Sequence, residues 1–197
     1  APGRPPVRPA NDATVDATLP YMPTVVADMV RFQRATGARP GEVCILRPID
    51  VDRSEAVWTY RPASHKTEHH GKDRVIFVGP KAQAVLRRYL LRDAESFCFS
   101  PAESVEKQLE KRHEARATPL SQGNRPGSRH TRGRTRPAAD RYVKDSYNRA
   151  IARAVQRANK DRRRKAKEGE EVVLLESWSP NRLRHPAATK IRREFGL

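Results

Sequence analysis

The sequence predicts an α+β fold, mainly helical, with a small three-stranded antiparallel sheet set among the helices. Alternating apolar runs are confined to residues 49–78, which is where the strands belong. On either side, apolar residues recur at helical spacing in segments opened or closed by Pro or Gly. The length of 197 residues suits one domain, and 37% hydrophobic against 32% charged residues allows it only a modest core.

Residues 1–20, rich in Pro and Ala with scattered Asp and Thr, have no helical periodicity and read as a linker. Pro23 opens the first helix, with Val25, Val26, Met29 and Val30 on one face and Gly37 as its stop. A second short helix fits Glu42 to Leu46. The strands follow as Ile49-Asp-Val, Ala56-Val-Trp-Thr-Tyr and Arg74-Val-Ile-Phe-Val, the last closed by Gly79-Pro80. Between the second and third lies a polar hairpin, His65-Lys-Thr-Glu-His-His-Gly-Lys. Pro80 begins a further helix with Val85, Leu86, Tyr89 and Leu90 inward. Trp58 and Trp178 read as packing residues.

Charge is distributed unevenly. Residues 111–167 hold 19 Lys/Arg against four acids, which is +15 of the total +17. Residues 101–139 are expected to be a basic, flexible insertion, Gly/Pro/Ser/Arg-rich as far as Pro137 and including Arg129, Arg132, Arg134 and Arg136. A helix is expected from Tyr142 to about Arg163, capped by Asp140, with Val143, Tyr147, Ile151, Val155 and Ala158 inward. Arg149, Arg153 and Arg157 fall elsewhere on that helix as a basic ridge. Such a charge favours a polyanionic partner, most simply nucleic acid.

No apolar run approaches the roughly 20 residues needed to span a bilayer, and residues 1–6 lack a signal-peptide core. Cys44 and Cys98 sit in apolar surroundings and read as buried, reduced thiols, consistent with a cytoplasmic protein. Their spacing to the six histidines does not suit zinc, so no metal is expected. His65, His69 and His70 read as a solvated hairpin tip.

Two short segments carry a resemblance. Ala35-Thr-Gly-Ala-Arg-Pro-Gly-Glu-Val resembles the first arginine box of the tyrosine recombinases (phage integrase family), T-G-x-R-x-G-E. Asn181-Arg-Leu-Arg-His, followed by Ala187-Ala-Thr, resembles their H-x-L-R-H box. With the sheet between the boxes, the resemblance covers roughly residues 20–197 and implies a partial integrase catalytic domain at 21–197. It implies DNA integration and recombination by strand cleavage and rejoining, with no cofactor, and a double-stranded DNA partner. It also implies self-association on DNA, a further arm-like domain ahead of residue 1, and a prokaryotic or phage setting.

By the same resemblance, Arg39 and Arg184 are the catalytic arginines, and Glu42 orients them. Two arginines from separate segments suit the chemistry, because phosphoryl transfer builds negative charge on the non-bridging oxygens and guanidinium groups are permanently charged bidentate donors. The family's hairpin lysine, the general acid for the leaving 5′-oxygen, matches Lys66 best, with Lys72 as the alternative or as a DNA contact. Arg149, Arg153 and Arg157 are candidate phosphate contacts.

Three departures stand out. Asn181 replaces the usual histidine; it can donate a hydrogen bond to a phosphate oxygen but cannot shuttle a proton. Pro186 follows His185, and inside a helix proline costs roughly 3 kcal/mol. All five tyrosines (Tyr21, Tyr60, Tyr89, Tyr142 and Tyr147) precede the second box, so the nucleophile is expected beyond Leu197 and the chain alone is expected to be inactive. The alternatives are a non-catalytic nucleic-acid-binding protein and a basic RNA-associated protein.

Overall fold

The structure, a computed structural model, describes residues 8–64, 74–117, 119, 138–167 and 170–184. Among the described residues there are six α-helices, α1 (Asp12–Thr18), α2 (Thr24–Thr36), α3 (Pro40–Cys44), α4 (Pro80–Leu86), α5 (Pro101–Glu114) and α6 (Lys144–Lys165), and a three-stranded sheet, β1 (Val51–Asp52), β2 (Trp58–Tyr60) and β3 (Ile76–Val78), that packs on α2 and α4. The strands run antiparallel in the order β1-β2-β3, with Val51 opposite Tyr60 and Tyr60 opposite Ile76. This is the expected mainly helical α+β fold.

Helix α2 is the axis of the core. Eight of its residues are buried, from Val25 to Gln33, and it packs against α3, α4, α5, α6 and β3. Such burial needs an apolar run, and Val25-Val-Ala-Asp-Met-Val supplies it apart from Asp28. The Asp28 carboxylate is fully buried and satisfied by Tyr89 Oη, Arg88 and Arg31 Nη1, the last at 2.9 Å. Gly37 ends α2 at φ 67°, a left-handed conformation that favours glycine, and turns the chain toward Arg39. Phe32, Phe99 and Tyr89 form the aromatic centre, with the Tyr89 and Phe99 rings edge to face at 4.9 Å.

The sheet is joined to the helices by specific bonds. Ile76 and Val78 are buried while Phe77 between them is exposed, the alternation that a half-covered sheet requires. Tyr60 Oη donates to the Glu42 carbonyl at 2.7 Å, tying β2 to α3. The Gln83 amide on α4 donates to the carbonyls of Ala56, at 2.7 Å, and Val78, at 3.0 Å, closing the sheet ends.

Several expectations are corrected. Residues 12–18 are helical: Asn11 Oδ1 caps α1 by accepting from the Ala13 amide at 2.8 Å, and Val15 and Thr18 are buried. A helix of seven residues is too short to declare its period. Residues 101–114, expected to be flexible, form α5, where Ser100 caps and Pro101 takes the first helical position. Its one buried residue, Ser104, accepts a 2.7 Å bond from Tyr142 Oη, so α5 docks through polar contacts that hydrophobic periodicity does not reveal. Residues 120–137 lie outside the described residues.

Helix α6 begins at Lys144, after an extended Val143, and Ser146 Oγ rather than Asp140 accepts from the Val143 amide at 2.9 Å. Because residue 143 is extended, Tyr142 turns inward and Val143 is half exposed. Tyr147, Ile151, Val155 and Ala158 are buried as expected, joined by Ala154. Near the sheet, Pro48–Asp50 is a 3-10 turn and Ile49 is exposed, which leaves β1 only Val51 and Asp52. Cys44 and Cys98 are buried free thiols, and desolvation pushes each up to about 12. Trp178 is buried with Nε1 donating to Thr18 Oγ1 at 3.2 Å, while Trp58 is partly buried beneath the Arg87 guanidinium.

Candidate functional site

The candidate site draws on three chain segments, two of which meet at one carboxylate. Pro40 fixes the first turn of α3, so Glu42 reaches back to the residue before the helix: its Oε2 accepts the Arg39 amide at 2.7 Å. Glu42 Oε1 accepts from Arg39 Nη1 at 3.1 Å and from Arg74 Nε at 3.3 Å. The carboxylate is only 3% exposed, whereas the Arg39 and Arg74 side chains are 25% and 28% exposed. A buried acid is thus flanked by two partly exposed guanidinium groups.

Arg184 completes the group. Ser179 and Pro180 start a 3-10 turn, Pro180–Leu183, that ends at Arg184, whose amide donates to the Asn181 carbonyl. Burial lowers the affinity of the Arg184 guanidinium for its proton, and the charges of Arg39 and Arg74 lower it further, opposed by Glu42. Arg184 therefore shares one electrostatic neighbourhood with the other three side chains. Asn181 is exposed and lies three residues before Arg184, which puts the two on the same side of the turn.

What holds segments so far apart in sequence together is Gln33. Its fully buried amide Nε2 donates to the Ala38 carbonyl at 3.1 Å and to the Pro180 carbonyl at 3.0 Å. Tyr147 Oη on α6 donates to Gln33 Oε1 at 3.0 Å. One amide thus bridges the residue before Arg39 and the turn that carries Arg184. On the outer side of that turn, Arg182 Nε and Nη2 donate to the carbonyls of Arg8, at 2.8 Å, and Pro9, at 3.2 Å. The Ala10 amide donates back to the Arg182 carbonyl at 3.1 Å, which fastens residues 8–10 to the second arginine segment.

The sequence-derived candidates divide accordingly. Arg39, Glu42 and Arg184 come together, with Asn181 on the adjoining turn. Lys66 and Lys72, with His185 and Pro186, lie outside the described residues. Arg149, Arg153 and Arg157 are all exposed, on the side of α6 away from its buried stripe. Among the described residues no hydrogen bond or ion pair links that ridge to the arginine cluster; Arg149 Nε bonds the Asp145 carbonyl at 3.3 Å and Arg157 Nη1 the Tyr21 carbonyl at 3.5 Å.

Arg74 and Gln33 were missed by sequence reasoning, though each left a signal. Arg74 shares the strand phase of Ile76 and Val78, a charged residue on an inward-pointing face. Gln33 is a polar residue on the buried side of an apolar helix.

Each of the five tyrosine hydroxyls donates a hydrogen bond within the fold: Tyr21 to Asp161, Tyr60 to the Glu42 carbonyl, Tyr89 to Asp28, Tyr142 to Ser104 and Tyr147 to Gln33. Desolvation is the leading cause that raises Tyr60, Tyr89, Tyr142 and Tyr147 above the ordinary phenol value, and the bond to Asp161 leads for Tyr21. None is presented as a nucleophile. Among the described residues no group of three or more His, Cys, Asp or Glu is placed to hold a metal ion, and no helix is long and apolar enough to cross a membrane.

No protein-family model and no curated protein sequence matches the chain. Solved structures do. XerA recombinase aligns over 98% of this chain and 52% of its own, at 16% identity and a TM-score of 0.53. The Tn1549 transposon integrase in complex with circular intermediate DNA aligns over 98% of this chain and 55% of its own, at 15% identity and a TM-score of 0.53. The same integrase in complex with transposon right-end DNA gives a TM-score of 0.56 at 15% identity. The chain spans about half the length of these proteins and shares their fold.

Proposed function

We propose that this chain engages a DNA phosphodiester in strand cleavage and rejoining, as part of a tyrosine-recombinase-type protein acting on double-stranded DNA. The observation that carries the proposal is that Gln33 bridges the segments of Arg39 and Arg184, from opposite ends of the sequence, so that both guanidinium groups lie within electrostatic reach of Glu42. Two guanidinium groups from independent segments suit the two non-bridging oxygens of one phosphate. Their value rises as those oxygens gain charge in the pentavalent transition state.

In this mechanism a tyrosine outside the five present attacks phosphorus, forms a 3′-phosphotyrosyl bond and breaks the bond to the 5′-oxygen. Lys66, or failing it Lys72, gives the leaving oxygen its proton. Asn181 donates a hydrogen bond to a phosphate oxygen, and Glu42 keeps Arg39 in place. Arg149, Arg153 and Arg157 contact flanking phosphates, which adds salt-sensitive affinity without sequence selectivity. The fold shared with an integrase solved on DNA supports the partner class.

The test is Arg39→Ala in the protein carrying this chain, assayed on duplex DNA containing its target. Cleavage should fall by about three orders of magnitude, the cost of removing a main transition-state donor, while DNA affinity changes by only a few-fold. Unchanged cleavage rules the proposal out. Asn181, which cannot carry a proton, favours a second reading: a DNA-binding domain of this fold without strand transfer. That reading predicts that no phosphotyrosyl–DNA adduct forms under any condition in which the duplex is bound.

A further inference from the structure

Counting charge at the cluster gives an imbalance that two arginines alone do not have. Arg39 and Arg74 both bond the single carboxylate of Glu42, and Arg184 is a third cation within electrostatic reach of all three. A pair of arginines over one glutamate carries one excess charge, matching a phosphodiester in its ground state. The third makes the excess two. Arg74 also approaches Glu42 differently from a simple strut: it reaches Oε1 through Nε, so its two-nitrogen Nη edge is not committed to that carboxylate. Oε1 is shared with Arg39 Nη1, so neither arginine monopolises the buried charge. At 28% exposure, Arg74 is as open to an incoming ligand as Arg39 is at 25%.

We propose that Arg74 is a third phosphate-binding arginine and that the site is built for a phosphoryl group bearing two negative charges. This rests on the phosphodiester reading above and deepens it. A diester gains its second charge only as the fifth bond to phosphorus forms, so a cluster with two excess charges binds the transition state more tightly than the substrate. Arg74 stands at the entry to β3, and Ile76 and Val78, in phase with it, are locked into the core. Strand packing therefore holds its backbone, and the guanidinium is ready before DNA arrives.

Inorganic phosphate is a direct probe because it changes from monoanion to dianion near neutral pH. Binding is followed by ³¹P NMR at constant ionic strength, below and above that ionisation, on the whole chain. The wild-type protein should bind the dianion about tenfold more tightly than the monoanion, the scale of one added charge-assisted interaction. Arg74→Gln should remove that preference and leave monoanion affinity within about twofold. Arg74→Lys keeps a cationic partner for Glu42 and so guards against misfolding; it should bind the dianion several-fold more weakly, because the bidentate edge is gone. A dianion preference that survives intact in both variants overturns the assignment of Arg74 but leaves the clamp standing, provided Arg184→Gln still abolishes phosphate binding. Wild-type affinity in Arg39→Gln and Arg184→Gln, or no binding by the wild-type protein, overturns the assignment and the phosphodiester reading together.

Discussion

Replacing Gln33 with leucine removes the amide that joins the two arginine segments while keeping most of the side-chain volume. Three buried groups then lose a partner: the carbonyls of Ala38 and Pro180, and the hydroxyl of Tyr147. An unsatisfied buried polar group costs about 1–3 kcal/mol. Carbonyls can recover part of this from a second donor or from water, so a total of roughly 3 kcal/mol is expected. Urea unfolding reads that as a lower midpoint at unchanged slope. The same variant frees the Arg39 and Arg184 segments from each other, and phosphate affinity should drop about tenfold as the clamp loses preorganisation. Tyr147→Phe is the control. It removes only the donor to Gln33 Oε1, costs about 1 kcal/mol, and leaves the bridge from Ala38 to Pro180 intact, so phosphate affinity should not change. If Gln33→Leu loses stability but binds phosphate as the wild-type protein does, the bridge is structural packing and positions nothing.

Other consequences follow from the same contacts. Glu42→Gln leaves Arg39 and Arg74 without their shared carboxylate and should cost about 3 kcal/mol, partly restored by added phosphate in a thermal melt. Replacing Arg149, Arg153 and Arg157 together with alanine should weaken binding to any duplex and reduce the slope of log affinity against log salt by roughly 3, measured by fluorescence anisotropy. The Cys44 and Cys98 thiols, raised to about 12 by burial, should resist iodoacetamide at pH 8 until the protein is unfolded, as mass spectrometry will show. The Asp161 carboxyl is held near 2, first by its bond to Lys165 and then by that to Tyr21. A depressed carboxyl stabilises the fold above its unfolded value near 3.8, and the contribution is lost as pH falls toward 2. Melts across that window should be less steep in pH for Asp161→Asn than for the wild-type protein.

How much was legible in the sequence depended on whether a signal was local. Helix α2, its Gly37 stop and strands β2 and β3 were readable because period and punctuation sit within a dozen residues. The buried stripe of α6 was readable for the same reason, apart from its first residue, where an extended backbone reversed the facing of Tyr142 and Val143. Helix α1 was hidden by its brevity, and α5 because its docking is polar: Ser104 to Tyr142, and Glu103 to Arg92. Arg39, Glu42 and Arg184 were singled out through short boxes, and they lie near one another in the fold. Arg74 and Gln33 act through partners 32 and 147 residues away, and no window along the chain contains such pairs.

On the proposed function, Arg39 and Arg184 act on one phosphate. A double-mutant cycle in single-turnover cleavage of target duplex measures this most directly, with Arg39→Ala, Arg184→Ala and the double variant compared at saturating protein. Groups that work as a unit are strongly non-additive. Each single variant should therefore lose about a thousandfold in rate, and the double variant little more than either one. Losses that multiply would place the two arginines on separate tasks, and a single variant that cleaves at the wild-type rate would contradict the shared phosphate site altogether.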